Sequence, residues 1–208
     1  MSATGNSVSL PERGKTYLKG PNRTPDTTYT TSVAIEGIRK AFANKDYSSS
    51  RNAMPLRTGG ETICILVRNA SGRTLLPKMT VTWKAGFVGT RVDGFSAIES
   101  GVVAGVVDEW LPATGVADND LFWLAVKGPH LCLKQSSTGV IAHDGWVAAL
   151  TAANTLHSTT AGRITAVAAT TESTTTLSHA LNRIGRAMST SNTSGASTDF
   201  LVFLDLPF

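Results

Sequence analysis

The sequence predicts a mainly β protein: a compact β-barrel or sandwich with one short helix or two and an extended N-terminal arm. Three observations lead there. Charged residues are only 16% of the chain against 41% hydrophobic, and Ser, Thr and 19 glycines fill the difference. Hydroxyls, β-branching and glycine favour strands and turns over long helices. From Glu61 onward, apolar runs of strand length recur between Gly, Ser and Asn turns, which is the pattern of an all-β domain. Residues 1–58 differ, carrying Pro11, Pro21, Pro25 and Pro55 and polar runs such as TPDTTYTT. With 208 residues, the chain can build one good core plus a long appendage.

The first segment, residues 1–58, reads as the arm. Within it only Ser32 to Lys45 has helical spacing: Ile35, Ile38 and Phe42 can share one face, with Ser32 as N-cap. A short helix is therefore predicted over about 32–45. Fully extended, a length of roughly thirty residues reaches on the order of 100 Å, which suits a segment lying along a neighbour.

The second segment, residues 59–208, reads as the barrel or sandwich. TICILVRN is its first strand, followed by the turn Ala70 to Arg73. LLPKMTVTW, AIESGVVAGVVDEWL, DLFWLAVKG and PHLCLKQ come next, then GWVAALTA, GRITAVAA and FLVFLDL. Pro77 and Pro129 belong at strand starts, edges or bulges. LSHALNRIGRAMS is ambiguous, with a possible helical turn first and then RIGRAMS as a strand that Gly185 lets bend.

Net charge is +4, which permits an acidic partner without demanding one. Arg13, Lys15, Lys19 and Arg23 cluster in the arm, opposed only by Glu12. They form a solvated basic tail rather than an aromatic-interleaved stripe, so no direct nucleic-acid partner is expected. Cys64 and Cys132 sit in apolar runs without a Cys or His at ligand spacing, as buried free thiols of a reducing compartment do. The opening MSATGNSVSLPERG lacks the apolar core of a signal peptide, and no apolar run is long enough to span a membrane. The expectation is a soluble product made in a cytoplasm. Sequons at Asn22, Asn69 and Asn192 then carry no meaning.

The densest acids lie between Gly101 and Pro129. Asp108 and Glu109 close an apolar strand where the chain should turn out to solvent, and strand alternation sends neighbours to opposite faces. They cannot then form the paired carboxylates of general acid–base work. Asp118-Asn119-Asp120 begins like a calcium loop, but Trp123 and Pro129 stand where that loop needs Gly and Glu. It reads as an Asx turn. Among His130, His143, His157 and His179, only His143-Asp144 has an adjacent acid, and Gly145 after it marks a turn. No HExxH, GxSxG or P-loop occurs. No catalytic, metal or cofactor residue is assigned, and no enzyme activity is expected. Trp83, Trp110, Trp123 and Trp146 lie on or beside strands and are assigned to the core or to a subunit interface. A row of exposed rings could instead stack on sugars, using Trp83 or Trp146.

Several segments carry a resemblance: ASGRTLLP from Ala70 to Pro77, GVVAGVVDE from Gly101 to Glu109, and the Asn119-Asp120 turn. Leu121 to Gly128, Gly145 to Val147 and Thr160 to Arg163 continue it. In their order of strands and turns they are similar to small β-rich bacteriophage capsid decoration, or cement, proteins. The resemblance spans about residues 61–208 and includes no catalytic signature. It implies a virion protein on the capsid exterior, made in the host cytoplasm, with the major capsid protein as partner and a homo-oligomer, a trimer, as assembly state. The arm lies outside the resemblance, and Arg13, Lys15, Tyr17, Lys19 and Arg23 are our own assignment as capsid contacts. The alternative is another β-rich virion part, such as a head-fibre base, tail or connector protein. A carbohydrate-binding β protein ranks third.

Overall fold

A computed structural model describes residues 36–43, 60–94, 103–134, 141, 143–149, 164–166, 183–188 and 199–206. These form ten strands and, among the described residues, no helix. In chain order they are β1 (Arg39–Ala43), β2 (Glu61–Asn69), β3 (Thr80–Trp83), β4 (Arg91–Asp93) and β5 (Val103–Val107). There follow β6 (Leu121–Leu133), β7 (Trp146–Ala149), β8 (Ile164–Ala166), β9 (Arg183–Ala187) and β10 (Asp199–Asp205).

The strands are ordered β1-β2-β4-β3-β5-β6-β10-β9-β7-β8, and an extra β2–β6 pairing closes β2, β4, β3, β5 and β6 into a barrel. Only β2 and β4 run parallel within that ring. Strand β6 makes the architecture possible. Its first half pairs with β2 and β5, and its second half, Lys127 to Leu133, pairs with β10. Thus one strand belongs both to the barrel and to an outlying sheet of β10, β9, β7 and β8. Two strands predicted on either side of Gly128 are in fact this one strand. Gly128 takes φ 94°, and a Cβ there would stand 2.1 Å from the Glu61 carbonyl oxygen. Only glycine allows that backbone conformation and that approach together.

Alternation along the strands sorts the apolar residues into two cores. Ile65 and Val67 of β2, Val81 and Trp83 of β3, Val92, Val107, Phe122 and Leu124 join in one buried cluster. Because it draws on all five closed strands, it fills the barrel. The alternate residues Cys64, Leu66, Trp123 and Ala125 face outward and pack against Val147, Ile184, Val202 and Leu204 of the outlying sheet. The barrel wall is therefore buried on both sides there, which explains the nearly unbroken apolar text of β2 and β6.

The helix predicted over about 32–45 is replaced, at Arg39–Ala43, by strand β1, antiparallel to β2. Ile38 and Phe42 are four residues apart, a spacing that shares a face in a strand as well as in a helix. Gly37 at φ 90° denies a helical path. Phe42 meets Trp123 edge to face, with centroids 5.1 Å apart and an interplanar angle of 75°, a contact worth about 1 kcal/mol beyond its area. The stretch assigned to the arm thus supplies a sheet strand, while residues 1–35 and 44–58 lie outside the described residues. The possible helical turn at the start of LSHALNRIGRAMS also lies outside them, and its second half forms β9. Strand β4, in a Gly-rich stretch, was not foreseen.

Candidate functional site

The densest group of titratable side chains is built by the second half of β6 and the turn after β5. Period-two alternation places His130, Cys132 and Lys134 on one side of the chain, and all three are buried. Opposite lie Asp108 and Glu109, which are 0% and 1% exposed. This corrects the expectation that they turn toward solvent. Strand β5 ends at Val107, so alternation does not govern the two acids, and β6 bends back over them after Gly128.

Backbone groups hold His130, and burial governs Cys132. The Glu109 N–H donates to His130 Nε2 at 3.3 Å, and His130 Nδ1 lies 2.7 Å from the Leu131 carbonyl oxygen. Asp108 Oδ1 is 4.0 Å from Nε2 and accepts from the Trp110 N–H at 3.5 Å. Burial pushes the Cys132 thiol well above its usual value of 9.0, and the nearby Glu109 and Asp199 carboxylates push it further. A thiol so held is a poor nucleophile, because the thiolate is the reactive form. With both ring nitrogens engaged by backbone groups, His130 does not offer a proton site to a substrate. No set of three or more His, Cys, Asp or Glu is placed to hold a metal ion among the described residues. What the arrangement does is fasten the β5–β6 turn to the shared strand.

The remaining candidates fall into turns. Asn119 takes φ 68°, and Asp118 Oδ1 accepts from the Gly72 N–H at 2.8 Å. These are Asx-turn features, and they tie two loops together. Asp120 is buried, and its carboxyl is raised from 3.8, by burial first and by Asp118 second. His143 Nδ1 does lie 3.0 Å from Asp144 Oδ2, but the pair sits exposed on the turn before β7. His157 and His179 are outside the described residues.

The four tryptophans do not gather. Trp83 fills the barrel interior, Trp123 lies between barrel and sheet, and Trp110 is half-buried in the turn after Glu109. Trp146 is half-buried at the start of β7, with the guanidinium carbons of Arg183 and Arg186 3.7 and 4.2 Å from its ring centroid. Arg13, Lys15, Tyr17, Lys19 and Arg23 lie outside the described residues.

One organising residue escaped the sequence reading. Asn69 is wholly buried. Its Nδ2 donates to the carbonyl oxygens of Arg73, Val116 and Ala117 at 2.7, 3.0 and 3.1 Å, and its Oδ1 accepts from the Ser71 N–H and hydroxyl. The amide thus binds the end of β2 to two loops. As a sequon it is closed to a glycosylating enzyme. Its one signal was position, a polar amide at the end of an apolar strand beside Ser and Gly.

No protein-family model matches the chain, and no curated protein matches it.

Proposed function

We propose that the chain is a structural virion protein that binds the outer surface of a bacteriophage capsid and stabilises the shell by bridging capsomers, without enzymatic activity. The observation that carries this reading is the state of the Asp108, Glu109, His130 and Cys132 cluster. All four side chains are buried, His130 and the Glu109 backbone tie the turn after β5 to β6, and burial holds Cys132 as the thiol. A barrel and sheet fastened in this way suit a rigid docking body, and the pattern of strands and turns resembles capsid decoration proteins over about residues 61–208. Symmetry would repeat a standard-sized contact patch many times over the shell, so modest area per protomer suffices. In this reading the protein is a trimer on the capsid exterior, and the basic arm with Arg13, Lys15, Tyr17, Lys19 and Arg23 lies along the major capsid protein.

Another virion part, such as a head-fibre base, tail or connector protein, differs in copy number. The carbohydrate reading loses Trp83 to the barrel interior and finds Trp146 already covered by two guanidinium groups.

The test is decoration of expanded phage heads by the purified full chain, with copies per particle counted by mass spectrometry. Hundreds of copies and a raised heat resistance of the heads are expected; a handful per particle would move the assignment to a tail or connector. The arm is tested by deleting residues 1–30, which spares Glu36 and β1. Normal decoration by that truncated chain would overturn the role of the arm. Deletion through residue 45 would strip Phe42 from Trp123 and confuse docking with unfolding.

A further inference from the structure

The outlying sheet turns one face to the barrel and the other away from it. Val147, Ala187, Val202 and Leu204 belong to the core side, so alternation sends Trp146, Arg186 and Phe203 to the far side. Phe203 pairs with Arg186, and Arg186 pairs with Trp146, which makes a row across β10, β9 and β7. Arg183, three residues from Arg186, should point the opposite way. It does not, because the register between β7 and β9 shifts after Val147 and leaves Ile184 as an extra residue. The bulge brings both exposed arginines to the one indole. Bulges of this kind re-aim side chains.

Two guanidinium groups on a single ring repel each other, and among the described residues no carboxylate pairs with either. Stacking on the indole leaves their in-plane N–H groups free to meet an oxyanion in the bidentate manner of arginine. Phe203, 42% exposed, adds an apolar surface in the same row. Tryptophan, phenylalanine and arginine together are the composition of protein interface centres.

We propose that this face of β10, β9 and β7 is a docking surface for an acidic segment of a partner protein, whose carboxylates are received by Arg183 and Arg186, held in place on Trp146, while Phe203 gives apolar contact. A nucleic acid fits less well. The indole is occupied by guanidinium groups and not offered to a base, and the exposed carboxylates of Asp144 and Asp205 lie near the two ends of the row. They oppose a continuous polyphosphate and leave room for separate carboxylates. The inference rests on these residues and holds whether or not the partner is a capsid protein.

The experiment uses the 15N-labelled full chain and three probes: a synthetic peptide with glutamates flanking a leucine, its glutamine counterpart, and a ten-nucleotide oligo-dT. The glutamate peptide is expected to shift the Arg183 and Arg186 Nε–H and Trp146 Nε1–H signals, and to bind at least about tenfold tighter than the glutamine peptide. Added salt should weaken it. The double variant Arg183→Gln, Arg186→Gln, whose substitutions are both at exposed positions, should keep the amide spectrum of the barrel and lose the response. Equal binding of the two peptides, no shift of these signals, or tighter binding of oligo-dT at the same signals would each overturn the proposal.

Discussion

Glu109 gives its backbone N–H to Nε2 of His130 across 3.3 Å, while the other ring nitrogen lies 2.7 Å from the carbonyl of Leu131. With these partners the imidazole serves as a strut between the β5–β6 turn and the second half of β6.

Replacing His130 tests this directly. His130→Ala leaves a buried N–H and a buried carbonyl short of a partner and opens a cavity. The expected loss is about 3 kcal/mol of unfolding free energy, read from urea denaturation with an unchanged slope. A loss under about 1 kcal/mol would mean that water or a shifted side chain replaces the ring.

Cys132 makes the cluster sensitive to alkali. Its folded-state pKa lies above the usual 9.0, so from about pH 9 upward the folded chain keeps a proton that the unfolded chain gives up. Stability must then fall as pH rises through that window and on toward the folded value. Denaturation midpoints should decline above pH 9, and Cys132→Ala should flatten that decline. Iodoacetamide should leave Cys64 and Cys132 unlabelled in the native chain and label both in denaturant, since both are buried.

Gly128 carries two constraints that a paired comparison can separate. Gly72 also has positive φ, at 73°, but a Cβ there meets nothing within 4 Å. Gly72→Ala should therefore cost only the backbone term of about 1 kcal/mol. Gly128→Ala adds a backbone clash with Glu61 and should cost more than about 3 kcal/mol, enough to populate unfolded chain at 37 °C. Equal losses would show that β6 can relax around the added carbon.

The strand text from Glu61 onward was legible because both faces of β2 and β6 meet apolar neighbours, so hydrophobic runs stand out whatever the register. Four things were hidden for physical reasons. Ile38 and Phe42 fit either period, and only the exposed edge of β2 and the ring of Trp123 decide for a strand. Strand β4 has three residues, and its place comes from pairing with β2 and β3, not from its own composition. The burial of Asp108 and Glu109 depends on the bend at Gly128, some twenty residues downstream in sequence, which local alternation cannot register. The pairing of Arg183 and Arg186 on one ring depends in the same way on a bulge.

Asn69 concentrates hydrogen bonds in one amide, which makes its charge state decisive. Asn69→Asp would set a carboxylate against the three carbonyl oxygens now served by Nδ2. The donors vanish and like dipoles face the new charge, a cost of about 3 kcal/mol or more. Thermal melts of the Asp variant, and of Asn69→Ala as the uncharged control, should rank wild type above Ala above Asp at pH 7. An Asp variant as stable as wild type would mean that the loops detach without consequence.

Glu36 and Phe42 hold β1 to the barrel by different means, and their coupling shows whether the strand docks as a unit. The Glu36 carboxylate, 5% exposed, bonds Arg68 Nε at 2.7 Å and faces Arg91 Nε at 3.6 Å. Glu36→Gln removes the charge that balances a largely buried guanidinium and should cost about 3 kcal/mol. Phe42→Ala takes the ring from Trp123 and should cost a similar amount, about 3 kcal/mol. If either change frees the whole strand, the second has little left to break. The double variant should then lose clearly less than the sum of the two single losses, and hydrogen exchange at Arg39 to Ala43 should be equally fast in all three variants. Additive losses with protection kept at these amides would show instead that each anchor acts locally, and deletion of the chain up to residue 45 would then be a milder change than the contacts of β1 suggest.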